Sequence, residues 1–79
     1  MIKFDKELDC TGLMCPMPIV KTKEELDKLS GGQVLLVLAD DYGFQKDMSK
    51  WCQMTGNEFF ALEKEGNIFK GYIKKKQSN

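Results

Sequence analysis

The chain has 79 residues, 42% of them apolar and 30% charged, with twelve lysines, no arginine, no histidine and twelve acids that cancel to zero net charge. This is the composition of one small globular domain, residues 1–79, which folds without metal or disulfide staples even though a chain of this size buries only about 60% of its unfolded surface. Zero net charge and the missing arginine exclude a basic stripe for bidentate base or phosphate contacts, so no direct nucleic-acid binding is expected.

In chain order, Lys3–Leu8 alternates loosely as a first strand, and 9–14 is a loop containing Gly12. From Pro16 onwards Ile19, Thr22, Leu26 and Leu29 recur at helical spacing, with Lys21–Glu25 and Glu24–Lys28 as i,i+4 pairs, until Ser30-Gly31-Gly32 ends the helix. Gln33–Ala39, "QVLLVLA", is a continuous apolar run that reads as a central strand. Phe44, Met48, Trp51, Cys52 and Thr55 form one stripe of a second helix, closed by Gly56-Asn57. Glu58–Glu63 and Ile68–Lys74 are two further strands joined by the tight turn "KEGN".

The order β-α-β-α-β-β, with right-handed crossovers, predicts a two-layer α/β sandwich with both helices on one face of a mixed four-stranded sheet. Phe59, Ile68 and Tyr72 are expected on the other face. No segment approaches the roughly 18 apolar residues that cross a bilayer, and no apolar leader follows Met1. The expected setting is the cytoplasm, where thiols stay reduced, with no membrane association.

Three cysteines, Cys10, Cys15 and Cys52, without a CxxC pair argue against a disulfide framework. With no histidine they also argue against a zinc site, and no cofactor is expected. Cys52 lies on the apolar stripe of the second helix and reads as core. Cys15 is different, because it stands where a loop enters a helix, directly before Pro16 and three residues before a second proline, Pro18. Prolines suit the first helical turn, whose N–H groups have no partner within the helix, and a residue before proline is pushed to the extended geometry of an N-cap. With Cys15 as N-cap, the remaining donors and the helix dipole should stabilise a thiolate. Cys10, five residues upstream, admits two readings: a buried thiol, or a resolving partner for Cys15.

The rest of a catalytic apparatus is missing. Without histidine neither a Cys-His pair nor a serine triad can form, and Gly31-Gly32 follows a helix rather than a strand, unlike a phosphate loop. A nucleophile with no acid, base or pocket of its own suits handing a group from one protein to another.

The stretch "LDCTGLMCPMPIVKTK", residues 8–23, resembles the signature of the TusA/SirA family of small sulfur-carrier proteins, and "VLADD", "DMSKWCQMTGNE" and "GYIKKK" extend the likeness along the chain. The resemblance implies a fold like the C-terminal domain of bacterial translation initiation factor three, with a sheet order of 1-2-4-3 and strand 4 antiparallel. It implies that Cys15 carries sulfur as a persulfide, supported by Gly12, Pro16 and Pro18. A cysteine desulfurase or rhodanese-like protein would be the donor, and a second protein, serving tRNA thiolation or sulfur and cofactor metabolism, the acceptor. The chain would act as a monomer and a protein-to-protein sulfurtransferase. Two other classes compete with this reading: a thiol redox or sensor protein using Cys10 and Cys15, and a non-catalytic regulatory binding module.

Overall fold

The computed structural model describes residues 2–77. Its elements are β1 (Lys6–Asp9), α1 (Met17–Leu26), β2 (Val34–Ala39), α2 (Phe44–Thr55), β3 (Glu58–Glu65) and β4 (Ile68–Lys74). They form one four-stranded sheet in the order β1-β2-β4-β3. β1 runs parallel to β2, and β4 is antiparallel to both β2 and β3. The topology matches the expected one.

The core lies between the sheet and the two helices. Leu35, Val37 and Ala39 of β2 and Phe69 and Ile73 of β4 meet Leu26 of α1 and Phe44, Met48 and Cys52 of α2. The continuous apolar run of β2 follows from its central position, covered by helices on one side and by neighbouring strands at both edges. Trp51 packs at the rim of this core. Burial pushes the Cys52 thiol up to about 11, so it stays neutral.

Several local expectations are corrected. β1 begins at Lys6 rather than Lys3, although Asp5 already bonds Val34, donating its N–H to the carbonyl (2.8 Å) and accepting the Val34 N–H on its carboxylate (2.7 Å). Regular α1 ends at Leu26, and 27–29 tighten into a turn in which Leu29 N–H reaches only to the Leu26 carbonyl, three residues back. The pairs at Lys21–Glu25 and Glu24–Lys28 do not form. Glu25 instead pairs with Lys6 across from β1 (2.6 Å) and with Lys28 (3.4 Å), while Lys23 holds Asp27 (2.9 Å).

Phe59 faces the helices, not the opposite side of the sheet. A bulge between Phe59 and Ala61 puts Phe59 across from Ile73 and Ala61 across from Tyr72, so the two-residue alternation changes phase there. Phe60, at the bulge, takes the outer place and packs at a tilt against Tyr72 (6.3 Å between centroids), which also meets Phe4 (6.5 Å). Tyr72 is therefore buried on the outer face by two aromatic rings, with its hydroxyl donated to Glu63 (2.9 Å).

Phe59 and Phe44 meet edge to face (6.2 Å) above Gly71. A Cβ at Gly71 would lie 2.9 Å from Phe44 and 3.1 Å from Phe59. Gly71 is thus the floor that lets the first residue of α2 reach the sheet. Gly71→Ala should lower stability by about 1–3 kcal/mol through overpacking, seen as a lower urea midpoint at unchanged slope. An unchanged midpoint would show that the two rings yield freely.

Candidate functional site: a thiol at the carboxyl edge of the parallel strands

β1 and β2 are parallel and each is followed by a helix, so both strand-to-helix loops emerge at the same edge of the sheet. In open α/β sheets that edge is the usual location of a site. Here the first loop, 10–16, carries Cys15, and the second, 40–43, carries two aspartates.

The first loop is held from three sides. Cys10 N–H donates to the Leu38 carbonyl (2.7 Å), continuing the β1–β2 ladder by one residue. Asp9 accepts both the Thr11 hydroxyl (2.6 Å) and its N–H (2.9 Å), and these bonds hold its carboxyl below the ordinary range. Gly12 donates its N–H to Asp40 of the second loop (3.0 Å). Gly12 sits at φ +82° with open space where a Cβ would be, so glycine is required there by backbone conformation alone.

Cys15 is exposed, and so are Met14 on its own loop at 76% and Tyr42 on the second loop at 87%. The structure does not make Cys15 an N-cap. Pro16 occupies that position, Met17 opens the helix, and Pro18 follows at the second helical place, buried against the core side. The Cys15–Pro16 peptide bond is cis.

The donors expected to face the sulfur are all engaged elsewhere. Pro16 and Pro18 have none. Met17 N–H donates to the Met14 carbonyl (2.8 Å), and the N–H groups of Ile19 and Val20 both donate to the Pro16 carbonyl (3.1 Å each). No backbone N–H at the start of α1 remains to stabilise a sulfur anion. What does face Cys15 is acidic. The carboxylate of Asp47, in the first turn of α2, pushes the thiol above its ordinary value, helped by desolvation and by the negative charge of Asp41. The expected thiolate on a helix dipole is replaced by a protonated thiol beside two carboxylates. Sequence reasoning missed Asp47. The signal was available in the topology, because residues following β1 and β2 must meet at one edge.

Cys10 does not share this exposure. It is fully buried, packed in the core cluster, and its thiol is raised chiefly by burial. All three cysteines are free. Among the described residues no three Cys, Asp or Glu side chains are grouped as a metal site, and no helix is long and apolar enough to cross a membrane.

Exposure and protonation act in opposite directions on reactivity, which gives a specific expectation. At pH 7 iodoacetamide should modify Cys15 at least about tenfold faster than buried Cys52, yet no faster than it modifies Cys15 in the urea-unfolded chain. A folded-state rate above the unfolded one would mean that the site activates the thiol.

Comparison with known proteins agrees with the geometry. The family described as Sulfurtransferase TusA matches residues 6–75. A sulfur carrier protein TusA of Allochromatium vinosum is 47% identical over 75 residues, covering 95% of this chain and 99% of that protein. A putative sulfur carrier protein of Aquifex aeolicus is 43% identical over 74 residues, 94% of this chain but only 38% of the longer relative. Among solved structures, a SirA-like protein from Desulfitobacterium hafniense superposes with a TM-score of 0.80 at 26% identity, over 92% of this chain and all of that one. With the same topology and a match along nearly its whole length, the chain belongs to the TusA family of sulfur carrier proteins.

Proposed function

We propose that the chain acts in the cytoplasm as a single 79-residue domain and a monomer, carrying sulfane sulfur as a persulfide on Cys15 from a donor protein to an acceptor protein. The observation that supports this most is the contrast among the three thiols: Cys15 is exposed, whereas Cys10 and Cys52 are buried. Another macromolecule can reach one sulfur only. Membership of the sulfur carrier family supplies the class of reaction.

In this reading Gly12, Pro16 and Pro18 hold the sulfur in place. Gly12 anchors the loop to Asp40, and buried Pro18 fixes the first turn of α1. Exposed Met14 and Tyr42, on the two loops at this edge, offer apolar contact to a docked partner. A cysteine desulfurase or a rhodanese-like protein is the donor that fits this chemistry, and the acceptor lies in a route such as tRNA thiolation or sulfur and cofactor metabolism. The absence of arginine favours an acceptor protein over direct contact with RNA.

The redox alternative needs Cys10 as a resolving thiol. Its burial in the core weighs against that, because disulfide exchange requires access to the attacked sulfur.

Incubation with a cysteine desulfurase and cysteine should add the mass of one sulfur atom, removable by reductant. The gain should vanish in Cys15→Ser and persist in Cys10→Ala. A gain that survives Cys15→Ser would move the carrier role to another thiol. One lost in a folded Cys10→Ala variant would favour the redox reading.

A further inference from the structure

Two carboxylates grip adjacent residues of the loop that bears Cys15. The Thr11 N–H and hydroxyl both donate to Asp9 (2.9 and 2.6 Å), and the Gly12 N–H donates to Asp40 Oδ1 (3.0 Å). The two grips differ in reach. Asp9 ends β1 and holds a residue two positions away, whereas Asp40 follows β2 and is 28 positions from Gly12. Among the described residues, the Gly12–Asp40 bond is the one hydrogen bond that joins the interior of this loop, 11–16, to a segment distant in sequence. The others stay local: Leu13 N–H donates to the Cys10 carbonyl (3.2 Å), and the Met14 and Pro16 carbonyls accept from the first turn of α1. Buried Cys10 fixes one end of the loop and buried Pro18 the other. Between them, only Asp40 ties the loop to the rest of the sheet edge.

We propose that Asp40 is the positioning residue for Cys15: by accepting the Gly12 N–H it fixes the loop against the sheet edge, so that a docked protein donor meets the sulfur in line. The proposal rests on the carrier reading of Cys15. In that transfer Cys15 Sγ attacks the terminal sulfur of the donor's persulfide. A new Sγ–S bond forms as the donor's S–S bond breaks, and the bonding pair leaves on the donor cysteine. The proton lost by Cys15 goes to water, and the leaving sulfur takes one up. Cys15–SH and donor–S–SH become Cys15–S–SH and donor–SH, so no outside oxidant or reductant enters.

Displacement at sulfur needs the attacking, central and leaving sulfurs close to one line, and misplacement by about 1 Å can cost about a hundredfold in rate. A small persulfide finds a displaced thiol by diffusion. A protein donor seated on the rest of the surface cannot follow it. The bond to Asp40 therefore matters to protein donors and not to small ones. Both partners in the bond are exposed, so it competes with water and adds little to global stability. The acceptor is a single oxygen, which an asparagine also offers.

The test compares two donors, a cysteine desulfurase supplied with cysteine and glutathione persulfide, with sulfur gain on Cys15 followed by intact mass. In Asp40→Ala, acceptance from saturating desulfurase should fall about tenfold, while the half-saturating desulfurase concentration moves less than about twofold. Acceptance from glutathione persulfide should stay within about twofold of wild type. Asp40→Asn should recover most of the lost rate. Hydrogen exchange at the Gly12 amide should be faster in Asp40→Ala and near wild type in Asp40→Asn. Asp40→Ser, whose shorter side chain stops short of Gly12, replaces the alanine form should that fold poorly. Folded Asp40→Ala or Asp40→Ser that takes sulfur from the desulfurase as fast as wild type would overturn the proposal. An equal loss with both donors would also overturn it, by making the effect one on the sulfur itself. Asp40→Asn as slow as Asp40→Ala would do the same, since charge rather than the bond to Gly12 would then matter. Wild-type protein that gains no sulfur on Cys15 from either donor would instead overturn the carrier reading, so the two failures are distinguishable.

Discussion

The contact of Phe44 with Gly71 sets the position of everything that faces Cys15. Phe44 is the first residue of α2, and it rests on a strand that offers no side chain beneath it. That close approach lets Phe44 pack with Phe59 and Phe69 (6.3 Å between centroids with Phe69) and brings the start of α2 down onto the central strands. One turn later Asp47 emerges beside the sulfur. A packing contact in the core thus determines an electrostatic property at the surface. The link runs through helix rigidity, since a first turn fixed at one residue leaves the next little freedom.

The other half of the site depends on the parallel pairing of β1 with β2. Cys10 extends that ladder through its bond to Leu38, and Gly12 then bridges to Asp40 at the end of β2. The two loops are consequently joined by a hydrogen bond before either helix begins. The prolines act within this frame. They remove two donors from the start of α1, and the surrounding carbonyls engage the rest. A rigid and donor-poor helix start leaves the sulfur exposed but without backbone stabilisation of its anion. The charges that act on it are those of Asp47 and Asp41, which raise the thiol rather than lower it.

Much of this was legible in the sequence. The apolar run of 33–39 identified the central strand, and the stripe of Phe44, Met48 and Cys52 identified both the second helix and the buried thiol. The Cys-Pro-x-Pro stretch singled out Cys15, which stands exposed on the first loop. The failures have physical causes. Alternation misplaced Phe59 because a bulge inserts one residue and inverts the faces beyond it, which strand periodicity cannot show. Helical spacing paired Glu25 with Lys21, but a lysine 19 positions earlier on β1 took it, a tertiary contact outside any local pattern. The protonation state of Cys15 was misjudged for the same reason. Proline positions fix which donors are missing, whereas the acceptors of the remaining donors, and the approach of Asp47 from 32 residues away, are set only by the assembled fold.

The central claim is that the folded protein presents Cys15 as a neutral thiol held by acidic neighbours rather than as a thiolate on a helix dipole. A pH titration of the Cys15 Cβ carbon by NMR, with the residue isotopically labelled, measures this directly. A midpoint above the ordinary cysteine value of about 8.5 is the result expected from this site. A midpoint near or below neutrality would contradict the account and restore the helix start as the source of reactivity.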